Sequence, residues 1–382
     1  MKKIAFIILS EPQTYPPTIN AANILTENGW IVDIYGIKYE TSDFLITDKN
    51  VNFHYIGNQK KGIKNILQYL YFYLWAFIRI KKSNSKLIYS FDPMSIGPSY
   101  FISTILGLKW FYHVHDVLDN PIGWYKFIKW LEKKYAKKAF NISFPQIERA
   151  EMYKKAMQIL KPIDIVFNGP RRTWGLTNIP DKRIENLKNT HKNIIIYQGG
   201  ISKKFNFEIM LNAINLSKST FAFCIIGREL ESGSIKYYQE MISIFGLKER
   251  VFFLPPTNYD YLPSITSQGT IGLAKFTSDK NAPLNDYYLI GASNKIAEYL
   301  SMSLPIIFPN TSVNIDFLKH HKIGLACNSD EPIELAKTID SILLNKKTEN
   351  EMRKNAREIF ENNFNFDSQY EKILFKLEEV IK

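Results

Sequence analysis

Residues 293–307 read SNKIAEYLSMSLPII, a polar segment followed by a short helical pattern and an apolar strand. Ser293 and Asn294 are residue types that favour the start of a helix. Lys295 and Glu298 follow in the first turns, beside backbone N–H groups that favour anions. A helix start with these side chains suits a nucleotide-sugar, with the diphosphate on the amides and sugar hydroxyls on the carboxylate. A surface helix with a solvated Lys and Glu explains this stretch equally well, so the rest of the chain decides.

The composition is that of a globular protein with room for two domains. The 382 residues are 45% hydrophobic and 23% charged, which excludes a disordered chain. The net charge of +12 arises mostly in the first 170 residues. Such a basic half suits nucleic acid, an anionic membrane or a phosphorylated acceptor, and it is also compatible with an ordinary Lys-rich surface.

Two features of the sequence bear on where in the cell the protein is found. The apolar run near the N-terminus is short and has no small-residue cleavage site after it, so it predicts a first strand and not a signal peptide. Cys224 and Cys327 both lie in apolar runs, which favours buried thiols over a disulfide or a metal pair. Together these features predict a cytoplasmic protein.

Strand and helix patterns alternate through residues 1–170, which predicts one parallel, doubly wound domain. The helix 18–28 ends at Gly29, and Asn168-Gly169-Pro170 closes the domain with turn residues. The predicted strands are 3–9, 30–35, 86–90, 109–115, 141–144 and 164–167.

After a polar linker at 171–191 the alternation restarts, which predicts a second domain of the same build over 192–364. Its predicted strands are 193–197, 221–226, 251–254, 270–274 and 305–308. Its predicted helices are 207–216, 237–245, 259–267 and 294–302, followed by helical sequence from 332 with a break at 362–366. The last helix is predicted at 367–381. The fold class is therefore α/β with two Rossmann-like domains.

Two glycine-containing strand ends are candidates for phosphate binding. Gly199 and Gly200 follow a predicted strand, so backbone N–H groups can approach a phosphate there, with Lys203 and Lys204 within reach. An ordinary strand-to-helix turn is the competing interpretation.

Gly227 and Arg228 end the next strand of the second half. Ligands of open α/β sheets bind beyond the carboxyl ends of the strands, and Arg can hold a diphosphate bidentately. An exposed loop Arg is equally compatible with this position.

A His-Val-His-Asp sequence ends a strand of the first half. His113 and His115 share one face of the strand, and Asp116 follows. The absence of a further ligand cluster argues against a metal, so we expect no metal site. One His pointing into a cleft at the strand end is favoured, and a packed or capped His competes with it.

Two helical stretches combine apolar and basic residues. Residues 64–80 are strongly apolar but too short to span a bilayer, which takes roughly 20 residues, so this helix is buried or interfacial. The helix 124–140 has an apolar stripe and a lysine-rich side running from Lys126 to Lys138. We expect the stripe to pack in the core, with contact between the lysines and an anionic membrane as a secondary hypothesis. Nucleic-acid binding is disfavoured, because no motif of a known module accompanies the lysines.

These pieces together resemble the GT-B nucleotide-sugar glycosyltransferases, in particular the retaining bacterial polysaccharide and lipopolysaccharide group (glycosyltransferase family 4-like). The specific segments lie in the second half: NIIIYQGGISKKFNFEIMLNAI, FAFCIIGRE, LKERVFFLPPTNYDYLPSITSQGTIGLAKF, SNKIAEYLSMSLPII and EMRKNAREIFENNFNF. The first half matches more loosely, through residues 20–29 and 113–116.

The resemblance implies two domains facing each other across a cleft, the first for the acceptor and the second for the donor, with helix 367–382 crossing back to the first. Sugar transfer from a nucleotide-sugar, with a uridine nucleotide as the default, would need no cofactor and no metal. The acceptor would be a saccharide or a lipid-linked saccharide, at the inner face of the cell membrane. The implied residues are Gly199, Gly200, Lys203, Lys204, Gly227 and Arg228 around the diphosphate; Ser293, Asn294 and Lys295 on the distal phosphate; Glu298 on the ribose; His115 near the transferred sugar; and Asp116 and Tyr15 on the acceptor side.

Two positions depart from the family pattern. Many relatives carry a second Glu before the ribose-binding one, with seven residues between the two, and Ile290 stands at that position here. Ile201 replaces the usual Arg after the glycine pair, so Lys203 or Lys204 would supply that charge. Retention in this group would rest on electrostatic stabilisation of the leaving diphosphate, without a protein nucleophile. A non-catalytic GT-B subunit that binds an active partner, or a sugar-nucleotide epimerase, are the alternatives.

Overall fold

The computed structural model describes residues 2–38, 49–60, 62–176, 179–205, 207–274, 288–328 and 330–382, with the side chain of Lys204 outside the description. The chain divides into two compact units. The first consists of Met1–Asn168 together with Phe366–Lys382, and the second is Gly169–Asn365.

The described part of the first unit contains a seven-stranded parallel sheet in the order β3-β2-β1-β4-β5-β6-β7. The central strand, β4, is buried along its whole length, because helices cover both faces of a parallel sheet. The strands are β1 (Lys2–Ile8), β2 (Trp30–Lys38), β3 (Val51–Asn58), β4 (Leu87–Phe91), β5 (Lys109–His113), β6 (Asn141–Phe144) and β7 (Asp164–Ile165).

The helices of this unit connect successive strands. They are α1 (Pro16–Glu27), α2 (Ile63–Ser83), α3 (Asp92–Leu106), α4 (Tyr125–Tyr135) and α5 (Ile147–Met157). As the sequence predicts for the lysine-rich helix, α4 buries its apolar positions Ile128 and Leu131 in the core of the unit. No described helix is long and apolar enough to cross a membrane.

The second unit repeats the plan, with a six-stranded parallel sheet among its described residues in the order β10-β9-β8-β11-β12-β13. The strands are β8 (Asn193–Gln198), β9 (Phe221–Ile226), β10 (Val251–Leu254), β11 (Ile271–Leu273), β12 (Ile306–Pro309) and β13 (Gly324–Cys327). The helices are α6 (Lys182–Thr190), α7 (Phe207–Leu216), α8 (Ser234–Ile244), α9 (Pro263–Thr266), α10 (Asn294–Ser301), α11 (Ser312–His321), α12 (Pro332–Leu343) and α13 (Lys346–Ile359). The predicted α/β class with two doubly wound sheets is confirmed.

The last helix, α14 (Phe366–Ile381), belongs to the first unit. Glu378 accepts a hydrogen bond from Trp30 Nε1 at 2.8 Å and pairs with Lys2 at 2.7 Å. Lys376 pairs with Asp164 at 2.5 Å. These long-range polar contacts fix the C-terminal helix to the starts of β1, β2 and β7.

Several elements differ from the sequence-based expectation. The segment 171–191, predicted as a linker, lies in the second unit and forms α6, whose start is capped by Asp181 through the N–H of Arg183. The strands β3 and β13 and the helices α3, α5 and α11 were not predicted. The strand 109–115 ends at His113, because the backbone N–H of His115 donates to the carboxylate of Asp92 instead of to a neighbouring strand. Cys224 and Cys327 are buried free thiols, as predicted.

The strand order fixes where ligands can bind. In both sheets the order reverses beside the first strand, between β1 and β4 in one unit and between β8 and β11 in the other. Open α/β sheets bind ligands at the carboxyl ends of the strands on either side of such a reversal. The predicted site residues of each unit follow strands that flank these two places or lie next to them.

Candidate functional site

The glycine pair of the second unit forms a close crossing between β8 and β9. Gly199 adopts φ of 143°, a conformation that side-chain-bearing residues rarely adopt. Its N–H donates to Ile226 O at 2.9 Å, and the N–H of Ile201 donates to Arg228 O at 2.8 Å. A Cβ on Gly227 would lie 1.6 Å from the carbonyl oxygen of Gly199. Backbone therefore packs directly against backbone at this crossing.

The ammonium group of Lys295 lies on this turn. A Cβ on Gly199 would be 2.9 Å from Lys295 Nζ, so the lysine occupies the space that a side chain at 199 would fill. The same Nζ lies 3.4 Å from the hydroxyl of Tyr197 and 4.4 Å from the centre of its ring. Residues almost 100 positions apart in sequence thus meet at one point, which places a positive charge beside the glycine turn.

The start of α10 offers polar groups beside this cation. Ser293 precedes the helix in an extended conformation, and its side chain makes no capping hydrogen bond. The carbonyl oxygen of the Asn294 side chain is buried without a hydrogen-bond partner in the described part of the chain. A helix start also presents backbone N–H groups to anions. The arrangement suits an incoming ligand that carries both phosphate and hydrogen-bond donors.

Glu298 is buried one turn further along α10. It accepts a hydrogen bond from Gln198 Nε2, and the hydroxyl of Thr266 in turn donates to Gln198 Oε1 at 2.9 Å. Burial raises the pKa of Glu298 to about 7, and Gln198, Lys295 and the hydroxyl of Tyr259 partly oppose that rise. The sequence pointed to Glu298 but not to the side chains that orient it, because they come from β8, α9 and a short turn before α9.

The raised pKa gives a prediction for stability against pH. A carboxyl with a folded-state pKa near 7 binds its proton more tightly than in the unfolded chain, so its contribution is complete below its ordinary pKa of 4.5 and is lost as the pH rises through 7. Glu298→Gln removes this titration. We expect wild type and variant to have similar free energies of unfolding near pH 4, whereas near pH 8 the variant should be more stable by about 3 kcal/mol.

Urea unfolding of both proteins across this pH range measures the difference. Glu231→Gln is the matched control, because Glu231 is an exposed residue of the same unit. An unchanging difference between wild type and Glu298→Gln over the whole range would contradict the assignment of a buried, titrating carboxyl.

The other predicted donor-side cations are less constrained. Arg228 is exposed at the end of β9, with its carbonyl held in the glycine crossing. Lys203 is exposed and lies over the ring of Tyr237 at 5.2 Å. The side chain of Lys204 lies outside the described residues. Ile290, at the position where relatives carry a Glu, is a buried apolar residue 7% exposed, and it supplies no carboxylate.

In the first unit, His115 is held at the carboxyl end of the sheet by a residue that the sequence did not single out. Asp92 accepts the backbone N–H of His115 at 2.7 Å, and its second oxygen lies 3.1 Å from His115 Nδ1. Asp92 itself has φ of 63°, which costs a non-glycine residue about 1–2 kcal/mol. The carboxylate favours a proton on Nδ1, which leaves Nε2 as an acceptor. Nε2 is buried without a partner in the described residues.

Aromatic rings complete the surroundings of His115. Its ring stacks on Phe91 at 5.4 Å and on Tyr15 at 5.8 Å. His113 lies 4.6 Å away, and burial together with the neighbouring His115 holds the pKa of His113 well below its ordinary value. Asp116 faces solvent with one oxygen 3.7 Å from the guanidinium of Arg149. The structure thus brings Tyr15, His115 and Asp116 into one region.

A pocket of about 190 Å³ lies beside this histidine, at the point where the order of the first sheet reverses. Ser10 after β1 and Asp92 after β4 form its base, and Tyr15 forms one wall. Asn65 and Tyr69 of α2 also line it. Its polar groups and aromatic walls are the lining expected of a small hydroxylated ligand. Within the described ranges no cluster of three or more His, Cys, Asp or Glu side chains is arranged to hold a metal ion.

Comparison with known proteins agrees with this geometry. Residues 178–359 match the family model described as glycosyl transferases group 1. This segment contains the glycine crossing, Lys295 and Glu298. No curated protein sequence matches the chain significantly.

Among solved structures, sucrose-phosphate synthase from Thermosynechococcus elongatus is similar with a TM-score of 0.78 and 14% identity, covering 100% of this chain and 99% of that one. Anabaena HepE in complex with UDP and glucose has a TM-score of 0.74 at 16% identity, covering 99% and 100%. WaaG, a glycosyltransferase involved in lipopolysaccharide biosynthesis, has a TM-score of 0.67 at 13% identity, covering 97% and 98%. The chain thus has the GT-B fold, and residues 178–359 of its second unit match the model of glycosyl transferases group 1.

Proposed function

We propose that this protein is a glycosyltransferase that moves a sugar from a nucleotide-sugar to a saccharide or lipid-linked saccharide acceptor, with retention of anomeric configuration. The observation that carries the proposal is the position of the Lys295 ammonium group against the Gly199 turn, beside the start of α10. A cation, a glycine turn and a helix start at one strand end are the components of a diphosphate site. The match of residues 178–359 to glycosyl transferases group 1 supports it.

The donor would bind in the second unit. Lys295, with Ser293 and Asn294 at the helix start, would hold the distal phosphate, and Arg228, with Lys203 or Lys204, would add charge at the diphosphate. Glu298 would accept hydrogen bonds from the ribose hydroxyls. Positive charge placed before the reaction stabilises a leaving diphosphate, which lowers the barrier to transfer without a divalent metal. UDP is the nucleotide we propose first, because similar structures hold UDP.

The acceptor would bind in the first unit, in the pocket beside His115. Tyr15 and Asp116 lie next to that histidine. His115 lies behind the Tyr15 and Asp92 lining of that pocket, and Asp92 holds its imidazole through Nδ1. We further propose that the protein works in the cytoplasm in surface polysaccharide or glycoconjugate synthesis, in peripheral contact with an anionic membrane through the helix of Lys126–Lys138.

A thermal-shift screen over UDP-, GDP- and CMP-sugars tests donor binding. One nucleotide class should raise the unfolding temperature of the purified protein by several degrees, since a ligand at about 100 times its Kd stabilises by about 2.7 kcal/mol. Adenosine monophosphate, which lacks the diphosphate, is the matched negative ligand. An unchanged unfolding temperature with every nucleotide-sugar would overturn the proposal.

A further inference from the structure

The helix α2 has two apolar sides. Four apolar residues at helical spacing, Tyr69, Phe72, Ala76 and Ile80, are buried against the sheet. On the opposite side lies a second apolar stripe, named here the α2 apolar face, whose members are between 42% and 74% exposed. They are Ile63, Leu67, Leu70, Tyr71, Leu74 and Ile78. A surface helix of a globular domain ordinarily presents polar residues on that side, so an apolar one marks an interaction site.

Charge is excluded from this face and concentrated around it. Residues 65–78 contain no charged side chain, and α2 contains no acidic residue at all. Lys64 precedes the apolar run, and Arg79, Lys81 and Lys82 follow it. The pattern is an apolar band with positive ends.

The neighbouring helices α3 and α4 add further exposed apolar side chains and further positive charge. Phe101 and Ile105 of α3 are exposed, and the ring of Phe101 contacts that of Tyr73 in α2 at 5.9 Å. On α4, Phe127 and Trp130 are exposed and stack on each other at 5.7 Å. The basic residues of α4 are Lys126, Lys129, Lys133 and Lys134. The acidic residues of α3 and α4 are engaged internally, Asp92 with His115 and Glu132 in the core.

The combination of exposed apolar side chains with surrounding positive charge favours one kind of partner. A second copy of the chain would bring lysines against lysines, whereas an anionic lipid surface complements them and accepts the apolar side chains. The α2 apolar face extends from Ile63 to Ile78, which is about 24 Å at 1.5 Å per residue. This length suits a helix lying in the interface plane and not one crossing it. We propose that the α2 apolar face inserts into the headgroup region of an anionic bilayer, with the flanking lysines and Arg79 on the lipid phosphates.

The position of α2 next to the pocket beside His115 bears on the chemical class of the acceptor. Asn65 and Tyr69, in the first turns of α2, line the pocket beside His115, and so does Tyr125 of α4. Docking of α2 would bring this pocket to the lipid surface. This step rests on the function proposed above. The acceptor is therefore a sugar or polyol headgroup attached to a lipid and not a free saccharide.

Vesicle co-sedimentation of the full chain tests the docking. Wild type should bind vesicles of mixed phosphatidylcholine and phosphatidylglycerol, and it should bind pure phosphatidylcholine vesicles much more weakly. The triple variant Leu67→Ser/Leu70→Ser/Leu74→Ser should bind the anionic vesicles about a hundredfold more weakly, from the apolar area that three leucines no longer bury. Because these residues are exposed, the variant should keep its unfolding temperature.

The matched control replaces three exposed apolar residues of the second unit, Leu216→Ser/Ile244→Ser/Leu344→Ser, and should bind vesicles as wild type does. Equal binding by the α2 triple variant and wild type would overturn the inference. So would a wild-type protein that ignores anionic vesicles but sediments as a dimer, with the α2 variant a monomer, because the face would then bind a second copy. The assay contains no donor or acceptor, so its failure leaves the transferase proposal standing, and loss of transfer leaves the docking result intact.

Discussion

Lys295→Ala is expected to weaken the binding of a nucleoside diphosphate by about 30- to 1,000-fold, equivalent to about 2–4 kcal/mol. The reason is geometric, since the lysine ammonium group lies on the Gly199 turn, where the phosphates of a donor would rest. No neighbouring cation of the described residues is held against the turn in the same way. Isothermal titration of wild type and variant with UDP measures the change.

Lys236→Ala provides the control for that titration, because Lys236 is an exposed lysine on α8 of the same unit. It should bind the nucleotide as wild type does. Lys236→Ala should also unfold at the wild-type temperature. Equal affinities of Lys295→Ala and wild type would show that the phosphates bind elsewhere.

Gly227→Ala is expected to destabilise the second unit by about 3–5 kcal/mol. The new Cβ would meet the backbone carbonyl of Gly199 at 1.6 Å, and backbone cannot move aside as a flexible side chain can. The two strand ends would have to separate, which also disrupts the crossing that shapes the phosphate site. Urea unfolding followed by circular dichroism measures the loss.

Gly233→Ala is a matched substitution in the loop before α8. Its Cβ would meet nothing within 4 Å, but the residue has φ of 84°, so only conformational strain of about 1 kcal/mol is expected. A Gly227→Ala protein as stable as Gly233→Ala would mean that the crossing tolerates a side chain.

The sequence was most informative where a short apolar strand ended in a turn. The strand β8, which ends at Gln198, and the helix starting at Asn294 were predicted within one residue of their observed bounds. The buried strands that mark these places are continuous apolar runs, because both faces of a strand in a parallel sheet are covered. Such local patterns were enough for the fold class and for the approximate position of the donor-side residues.

Elements with mixed burial were not predicted. Along β3, residues 51–58 range from buried to exposed, so neither a continuous apolar run nor a clear alternation marks them. The edge strand β13 begins with Gly324, whose missing side chain lets Ile306 of β12 approach closely. In the sequence alone, a glycine at the start of a strand indicates a turn.

Long-range polar partners were likewise beyond the sequence. Asp92 orients His115 from the start of α3, 23 residues earlier, and Gln198 contacts Glu298 across 100 residues. Nothing in the local pattern around Asp92 or Gln198 distinguishes them from solvent-exposed polar residues. Only the topology, which brings the ends of neighbouring strands together, assembles these pairs.

The measurement that tests nucleotide-sugar transfer most directly is the release of nucleoside diphosphate from a donor by the purified chain, with and without lipid-linked saccharide acceptors. Wild type should release it, faster with an acceptor, and Lys295→Ala should be slower by at least about a hundredfold at subsaturating donor. A wild-type protein that binds the nucleotide through Lys295 yet never releases the diphosphate would contradict transfer and would indicate a non-catalytic GT-B subunit.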